Sequence, residues 1–343
     1  MPENEVSFPG RSSLNVYGGG LAAVHSMGAI KFLLPRSKIN FIEGVSAGAL
    51  VTAILISNDF NVEKVIEIWL EIDQEGPAKI FRGSNIAGLN IPIRNWLGKS
   101  FYKNDGIKEI IDKYVSVEKI MAWEGEYIVV AENLTRGRKM PFSNKDERFQ
   151  KNPGLFKSAI LASASLRVLL PPVLIEGEWY SDGFTCSLVA SLEREIDNIF
   201  IILSSRLDEG AGEHHENDRI LDHMIGNTRS VVRDKIMADI KHAKRSGWRL
   251  IEQNPTDLFD DVKPDRRLQA INLLKDAAEA LNPLSSEPIE ERAIGQRKVI
   301  IFTPTNAVKT LKTDQFNKGD MKIAIERTIK EVGDFAQELA KQL

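Results

Sequence analysis

Asn40-Phe41-Ile42-Glu43-Gly44-Val45-Ser46-Ala47-Gly48-Ala49-Leu50-Val51-Thr52-Ala53-Ile54-Leu55-Ile56-Ser57 is the stretch on which the fold turns. Its opening, NFIEG, reads as a short buried strand, and AGALVTAILIS over 47–57 reads as a buried helix. Between them a serine stands in the pattern G-x-S-x-G, where the chain passes from strand to helix. Such a turn can present a hydroxyl at the head of a sheet. Upstream, 13–17 (SLNVY) reads as another strand, running into Gly18-Gly19-Gly20. Backbone N–H groups of glycines can come close to a developing oxyanion. Together the two motifs point to acyl transfer, with Ser46 as candidate nucleophile and Gly18, Gly19 and Gly20 as candidate oxyanion donors. Each motif alone has a plainer reading. The pentapeptide also describes an N-cap serine between turn glycines. The triple glycine also describes a phosphate-binding turn, although no Lys-Ser/Thr follows it and its spacing is not that of a dinucleotide fingerprint.

Outward from these motifs, strand and helix signals alternate. After helical apolar spacing over 21–34 come amphipathic helices over 62–72 and 106–114, with Asp105 as a plausible N-cap. Strands follow at 126–131 (EYIVVA), 173–175, 178–180, 198–203 (NIFIIL) and 298–302 (KVIIF), with a small-residue-rich helix at 155–165 and a last helix from about 315. The pair 173–175 and 178–180 turns at Glu176-Gly177. This alternation predicts an α/β fold: a three-layer sandwich around a mainly parallel sheet. No internal repeat interrupts it. A single domain over 1–343 is expected, with a core of about 12–205 and 297–343 and a helical insertion of about 206–296.

Composition narrows the function classes. Hydrophobic residues at 43% and charged residues at 27% are ordinary for a globular protein, and the net charge of -3 lacks the basic balance of a nucleic-acid binder. The only cysteine, Cys186, cannot form an internal disulfide; it reads as a small buried side chain in a reducing compartment. The polar, acidic start shows no Sec-type signal, and the longest apolar run near the front, 49–56, is far below a membrane span. A soluble cytoplasmic protein that touches a membrane surface is the expectation. Two segments are candidates for that contact. Residues 80–101 mix glycines with Phe81, Ile86, Leu89, Ile91, Ile93, Trp96 and Leu97, a composition suited to an interfacial lid or to a buried irregular loop. Residues 229–249 set Arg229, Arg233, Lys235, Lys241, Lys244, Arg245 and Arg249 against a stripe of Val232, Ile236, Ile240 and Ala243. That face suits anionic headgroups or plain solvent.

The base that activates Ser46 decides the family. A Ser-Asp-His order would need a histidine after a strand end. His214 and His215 sit in a charged loop, while His223 and His242 lie in Lys/Arg-rich helical surroundings. That leaves a carboxylate as direct base, and 161–184, LASASLRVLLPPVLIEGEWYSDGF, becomes the telling segment. With YGGG at 17–20 and GVSAG at 44–48 it resembles the patatin-like phospholipase family, in order through Pro171-Pro172, Gly177, Tyr180, Asp182 and Gly183. The likeness extends to Ile301-Phe302-Thr303-Pro304 and to 316–321.

This resemblance implies a lipid acyl hydrolase in which Ser46 pairs with Asp182, the aspartate of the family's D-G-[G/A] motif. It implies a phospholipid or other acyl-lipid substrate and an acyl-enzyme intermediate, with no metal or organic cofactor required. Three departures stand out. Ala22 and Ala23 replace the last two residues of the family's G-G-G-x-[Arg/Lys]-G loop, which removes a local positive charge. Phe184 follows Asp182-Gly183 where a small residue is usual, and Arg167 stands where the family generally has proline. They leave open a catalytically weak lipid-binding or scaffold protein of the same fold, and a soluble carboxylesterase or thioesterase.

Overall fold

The computed structural model describes residues 6–74, 103–167, 169–186, 196–204, 220–253, 297–303 and 318–342, together with positions 260, 263 and 265. Strands β1 (Phe8–Val16), β2 (Ser37–Val45), β3 (Glu126–Asn133), β4 (Arg138–Ser143), β5 (Val173–Ile175), β6 (Glu178–Asp182), β7 (Asn198–Ile202), β8 (Arg249–Glu252) and β9 (Lys298–Phe302) form one sheet of order β5-β6-β3-β2-β1-β7-β9-β8, with β4 paired to β3 off this path. From β3 to β8 along this order the neighbours run parallel; the β3/β4, β3/β6 and β5/β6 pairs are antiparallel.

Side chains alternate across the sheet, so each strand feeds two cores. Leu14, Val16, Ile42, Val129, Phe200 and Ile300 pack on one face. That face is covered by α1 (Ser26–Leu33), α2 (Ala47–Ser57), α3 (Val62–Gln74), α4 (Asp105–Tyr114), α5 (Val117–Ala122), α6 (Glu147–Lys151), α7 (Gly154–Ser163) and, near the C-terminus, a long helix over Lys318–Gln342. Tyr17, Phe41, Val45, Val130, Ile199 and Val299 pack on the other, under Ile236, Ile240 and Ala243 of α8 (Ile220–Arg245). The helix over Lys318–Gln342 is α9. Helices on both faces of a mainly parallel sheet make this the expected α/β sandwich.

Several local outcomes differ from the sequence reading for physical reasons. Helical spacing over 21–34 resolves into a 3₁₀ turn, Gly20–His25, followed by α1. Asn104, not Asp105, is the N-cap of α4, and it makes no side-chain capping bond. Strand β4 escaped notice because Pro141 interrupts its pattern; beside β3 the strand needs no ladder donor on its outer edge, where proline is tolerated. Strand β8 falls inside the segment expected to be a helical insertion and pairs parallel with β9. The turn at Glu176-Gly177 joins β5 to β6 with φ of 49° and 83°, the left-handed pair that suits a tight hairpin.

Strand order reverses around β1: β2 and β3 lie to one side, β7 and β9 to the other. In open α/β sheets the crevice at such a switch point, outside the carboxyl ends of the strands, is where ligands bind. The loop Gly18–Gly20 leaves β1 at this place. Tyr17 N donates to Ile202 O at 3.0 Å, which holds the loop's start against β7.

Candidate active site

Register brings Ser46 and Asp182 together. Strand β2 pairs with β3 as far as Val45 opposite Val130, and β6 pairs with β3 from Tyr180 opposite Asn133 to Asp182 opposite Ala131. Strand β4 occupies one edge of β3 over Ile128 to Asn133, so β6 lies on the same edge as β2. The two strands approach from opposite directions and their carboxyl ends meet. Ser46 follows Val45, Asp182 ends β6, and the Ser46 hydroxyl comes near enough to the Asp182 carboxyl to favour its ionised form.

The serine sits on a strained elbow. Its φ of 57° and ψ of -133° lie outside the regions favoured by L-residues. A Cβ on Gly48 would fall 2.2 Å from Val16 O, so only glycine lets α2 start this close to β1. A Cβ on Gly18 would fall 2.3 Å from Ser46 Cβ and 2.8 Å from Oγ. The glycine loop therefore lies directly against the serine side chain. Ser204 Oγ donates to Gly18 O at 2.6 Å. Since a carbonyl and the next N–H point oppositely across a trans peptide, this bond also fixes the direction of the Gly19 N–H. Gly19 and Gly20 have φ of 159° and 60° and are exposed.

Helix α7 braces both residues from below. Ser46 N donates to Ser163 Oγ at 3.0 Å, and Ser163 Oγ donates to Val130 O at 2.6 Å. Just beyond the helix, Ser165 O accepts both Asp182 N and Ser181 Oγ at 2.9 Å. The sequence singled out this helix only for its small residues; the alternation Ser163-Ala164-Ser165 was the available signal. Across α2, Tyr127 donates to Ala49 O at 2.6 Å and accepts from Thr52 Oγ1 at 3.1 Å, which pins the first turns of that helix to β3.

Asp182 is buried, and burial pushes its carboxyl up to about 7. The Ser46 hydroxyl, the Phe184 N–H and the Lys139 charge each pull in the opposite direction, while Glu132 adds to the rise. The value near 4 of a free aspartate is thus replaced by one suited to a base working near neutrality. None of the groups acting on Asp182 among the described residues is a histidine. His242 is exposed on α8, and the side chains of His214, His215 and His223 lie outside the described residues.

The loop after Asp182 is tied down. Phe184 N donates to Asp182 Oδ1 at 2.7 Å, and Thr185 N donates to Gly183 O at 2.7 Å. Lys139 Nζ of β4 donates to Thr185 Oγ1, a cation that sequence reasoning missed because β4 itself was missed. Phe184, the unusual residue after Asp-Gly, takes a φ of 61°. Arg167 pairs with Glu132 at 3.0 Å. Cys186 is buried, with Sγ 3.7 Å from Val16 O and from Glu43 O, and burial pushes its thiol up. A protonated, buried thiol is a packing group, as read from the sequence.

The expected interfacial lid over 80–101 lies outside the described residues. In the basic segment Ile236, Ile240 and Ala243 form the core stripe, while Arg233 and Lys235 pair with Asp234 and Asp239; side chains before Arg233 lie outside the described residues. Among the described residues no helix is long and apolar enough to cross a membrane, and no three His, Cys, Asp or Glu side chains cluster so as to hold a metal ion.

Residues 16–188, half of the chain, match the patatin-like phospholipase family. The chain belongs to that family. It is 23% identical over 181 residues to the uncharacterized protein R571 of Acanthamoeba polyphaga mimivirus, a match covering 50% of this chain and 57% of that relative. The crystal structure of VipD from Legionella pneumophila aligns over 97% of this chain and 68% of its own, with a TM-score of 0.47 and 14% identity.

Proposed function

We propose that the chain is a phospholipase A or lysophospholipase working through a Ser46–Asp182 dyad. The carrying observation is the register on β3, which brings the end of β2, followed by Ser46, beside the end of β6, where the carboxyl of Asp182 is buried. In the first step Ser46 Oγ attacks the ester carbonyl and its proton passes to Asp182. The tetrahedral oxygen accepts backbone N–H groups of Gly18, Gly19 and Gly20; one such donor contributes about 3 kcal/mol of transition-state stabilisation. The N-terminus of α2 adds favourable potential. As the intermediate collapses, protonated Asp182 delivers its proton to the departing alcohol, leaving the fatty acyl group on Ser46. A water then gives its proton to Asp182 and adds to the acyl carbon, and the fatty acid leaves as Ser46 regains its proton.

The described parts fit one patatin-like domain whose substrate is a phospholipid or other acyl lipid. Esters packed in a bilayer are reached only where the cleft meets the surface, so transient membrane contact belongs to the same reading. A cytoplasmic setting fits the lone buried cysteine.

Fluorophosphonate labelling with peptide mapping tests the assignment, together with product analysis on mixed phospholipid vesicles. Label on Ser46, and loss of fatty-acid release in Ser46→Ala and in Asp182→Asn with folding retained, are expected. Vesicle binding without fatty-acid release in the unaltered protein would overturn it in favour of a scaffold. Turnover of monomeric esters but not of vesicles would point to a soluble esterase.

A further inference from the structure

The peptide joining Gly18 to Gly19 has glycine on both sides, so no Cβ resists its turning over. The two edges of that peptide are electrically opposite. One presents the Gly19 N–H, which can stabilise a developing oxyanion; the other presents the Gly18 carbonyl, whose partial negative charge opposes it. A group outside the loop has to choose between them. Among the described residues the Gly19 N–H has no protein acceptor, whereas Gly18 O accepts the Ser204 hydroxyl at 2.6 Å. The loop is held by its carbonyl, and the donor is left open on an exposed glycine.

Strand order gives this choice a direction. In the run β2-β1-β7, Ser46 follows β2, Gly18 comes just after β1, and Ser204 comes just after β7. Ser46 and Ser204 therefore flank Gly18 from opposite sides. A Cβ at Gly18 would fall 2.3 Å from Ser46 Cβ, so the serine closes the β2 flank. With the peptide trans, a carbonyl drawn toward Ser204 sends the Gly19 N–H the other way, toward the flank that Ser46 occupies. Ser204 is itself placed by the sheet. Leu203 N donates to Phe302 O at 3.0 Å and Tyr17 N to Ile202 O at 3.0 Å, so the ladder of β1, β7 and β9 runs on to the neighbours of both bonded residues. Ser204 is half-buried, which limits competition from water for its hydroxyl.

We infer that Ser204 is a positioning residue of the active site, whose hydroxyl keeps the Gly18–Gly19 peptide turned so that the Gly19 N–H meets the oxyanion formed at Ser46. The inference rests on the dyad reading and adds to it the group that orients the oxyanion donor. Ser204 is not among the groups that act on Asp182, so its removal weakens stabilisation of the intermediate and leaves the base as it was.

Turnover of p-nitrophenyl butyrate is measured in the parent, Ser204→Ala and Ser204→Thr, beside inhibition by an alkyl trifluoromethyl ketone. When that ketone binds, the Ser46 oxygen bonds to the carbonyl carbon, the carbonyl electron pair moves onto its oxygen, and the hydroxyl proton passes to Asp182. The adduct thus carries the oxyanion and has no leaving group to lose. Removing an oxyanion donor outright lowers kcat about a hundred- to a thousandfold, so a donor left unaimed lowers it roughly ten- to a hundredfold. Expected in Ser204→Ala are that fall in kcat with KM within about twofold, and a rise in the ketone's Ki by the same factor as kcat falls. The midpoint of the pH–rate profile stays that of the parent. Ser204→Thr keeps the hydroxyl and recovers most of the loss. Circular dichroism and thermal melting establish that both variants are folded.

A folded Ser204→Ala with the parent's kcat and Ki would overturn the inference. So would a loss that Ser204→Thr shares in full, since packing and not the hydroxyl would then be responsible. Hydrolysis surviving in Ser46→Ala would end the dyad reading and this inference together. An inactive Ser46→Ala beside an unimpaired Ser204→Ala would leave the dyad standing and remove the inference alone.

Discussion

Ser46 and Ser163 are joined by a hydrogen bond in which the amide of the strained elbow donates to the Ser163 hydroxyl, 3.0 Å away, and that hydroxyl in turn donates to Val130 O. Ser163 is thus a positioning residue: it holds the turn that aims the Ser46 side chain. Ser163→Ala leaves a part-buried N–H and a buried carbonyl without their partner, a loss of about 1–3 kcal/mol of stability. It also frees an elbow whose φ is held at 57°. A misplacement of about 1 Å can cost about a hundredfold in rate. Expected are a lower melting temperature and a fall in kcat of ten- to a hundredfold with KM little changed. Equal stability and equal kcat would show that α7 does not brace the elbow.

Asp182 should set the pH profile. With its carboxyl at about 7, the ionised base is scarce in acid and abundant above neutrality. Expected is kcat/KM that rises tenfold per pH unit below about 7 and levels off above it. A short-chain ester measured from pH 5 to 9 checks this. A profile already flat from pH 5 upward would mean that the carboxyl is not raised.

Much of this site was legible in the residues. The strand–turn–helix around Ser46 and the Asp-Gly after a hairpin were read correctly in place, because buried parallel strands such as NFIEG and KVIIF are continuous apolar runs that local pattern reveals. What local pattern does not carry is register. Nothing in 126–133 says that β2 and β6 share one edge of β3, yet that sharing is what places Ser46 beside Asp182. The bracing hydroxyls of Ser163 and Ser204 reach 117 and 186 residues along the chain to Ser46 and Gly18, and small polar residues look alike at any separation. Strand β4, which carries Lys139, was hidden by Pro141.

Lys139 supplies positive charge near the proposed dyad, whose glycine loop carries Ala22 and Ala23 in place of a basic residue and a glycine. Its charge favours ionised Asp182, and its bond to Thr185 ties down the loop whose Phe184 N–H holds the carboxylate. Lys139→Met should move the midpoint of the pH–rate profile upward by several tenths of a pH unit, and Lys139→Arg should restore it. Thr185→Val keeps the cation and removes the side-chain tie, so a comparable upward shift in that variant would assign the effect to loop geometry rather than charge.

Stability should answer to Asp182 in the direction opposite to activity. A carboxyl near 7 when folded and about 3.9 when unfolded binds its proton more tightly in the folded state. The stabilisation it gives is complete below about pH 4 and is lost as pH rises through 7, by up to about 4 kcal/mol. Asp182→Asn removes this dependence. The variant should therefore be more stable than the parent above pH 7, with the gap closing towards pH 4. Denaturant melts at pH 5 and pH 8 decide it, and a variant less stable than the parent at pH 8 would contradict a buried, costly carboxylate.

His25 should govern the acid limb. It is buried beside α9, with Nδ1 3.0 Å from Thr328 Oγ1, and burial, with help from Arg327, lowers its pKa to about 4. In the unfolded chain the imidazole titrates near 6.5. Between these values the unfolded state binds the extra proton, so stability present above pH 6.5 is lost as pH falls through 4, by up to about 3 kcal/mol. This opposes the Asp182 effect over much of the same range, and the two are separated in single variants. His25→Gln keeps a side chain able to bond Thr328 but cannot charge. Against an Asp182→Asn background, its stability should stay level from pH 7 to 5 where the His25 protein declines. Parallel declines with and without His25 would place the acid sensitivity elsewhere than at the contact between the turn after the glycine loop and α9.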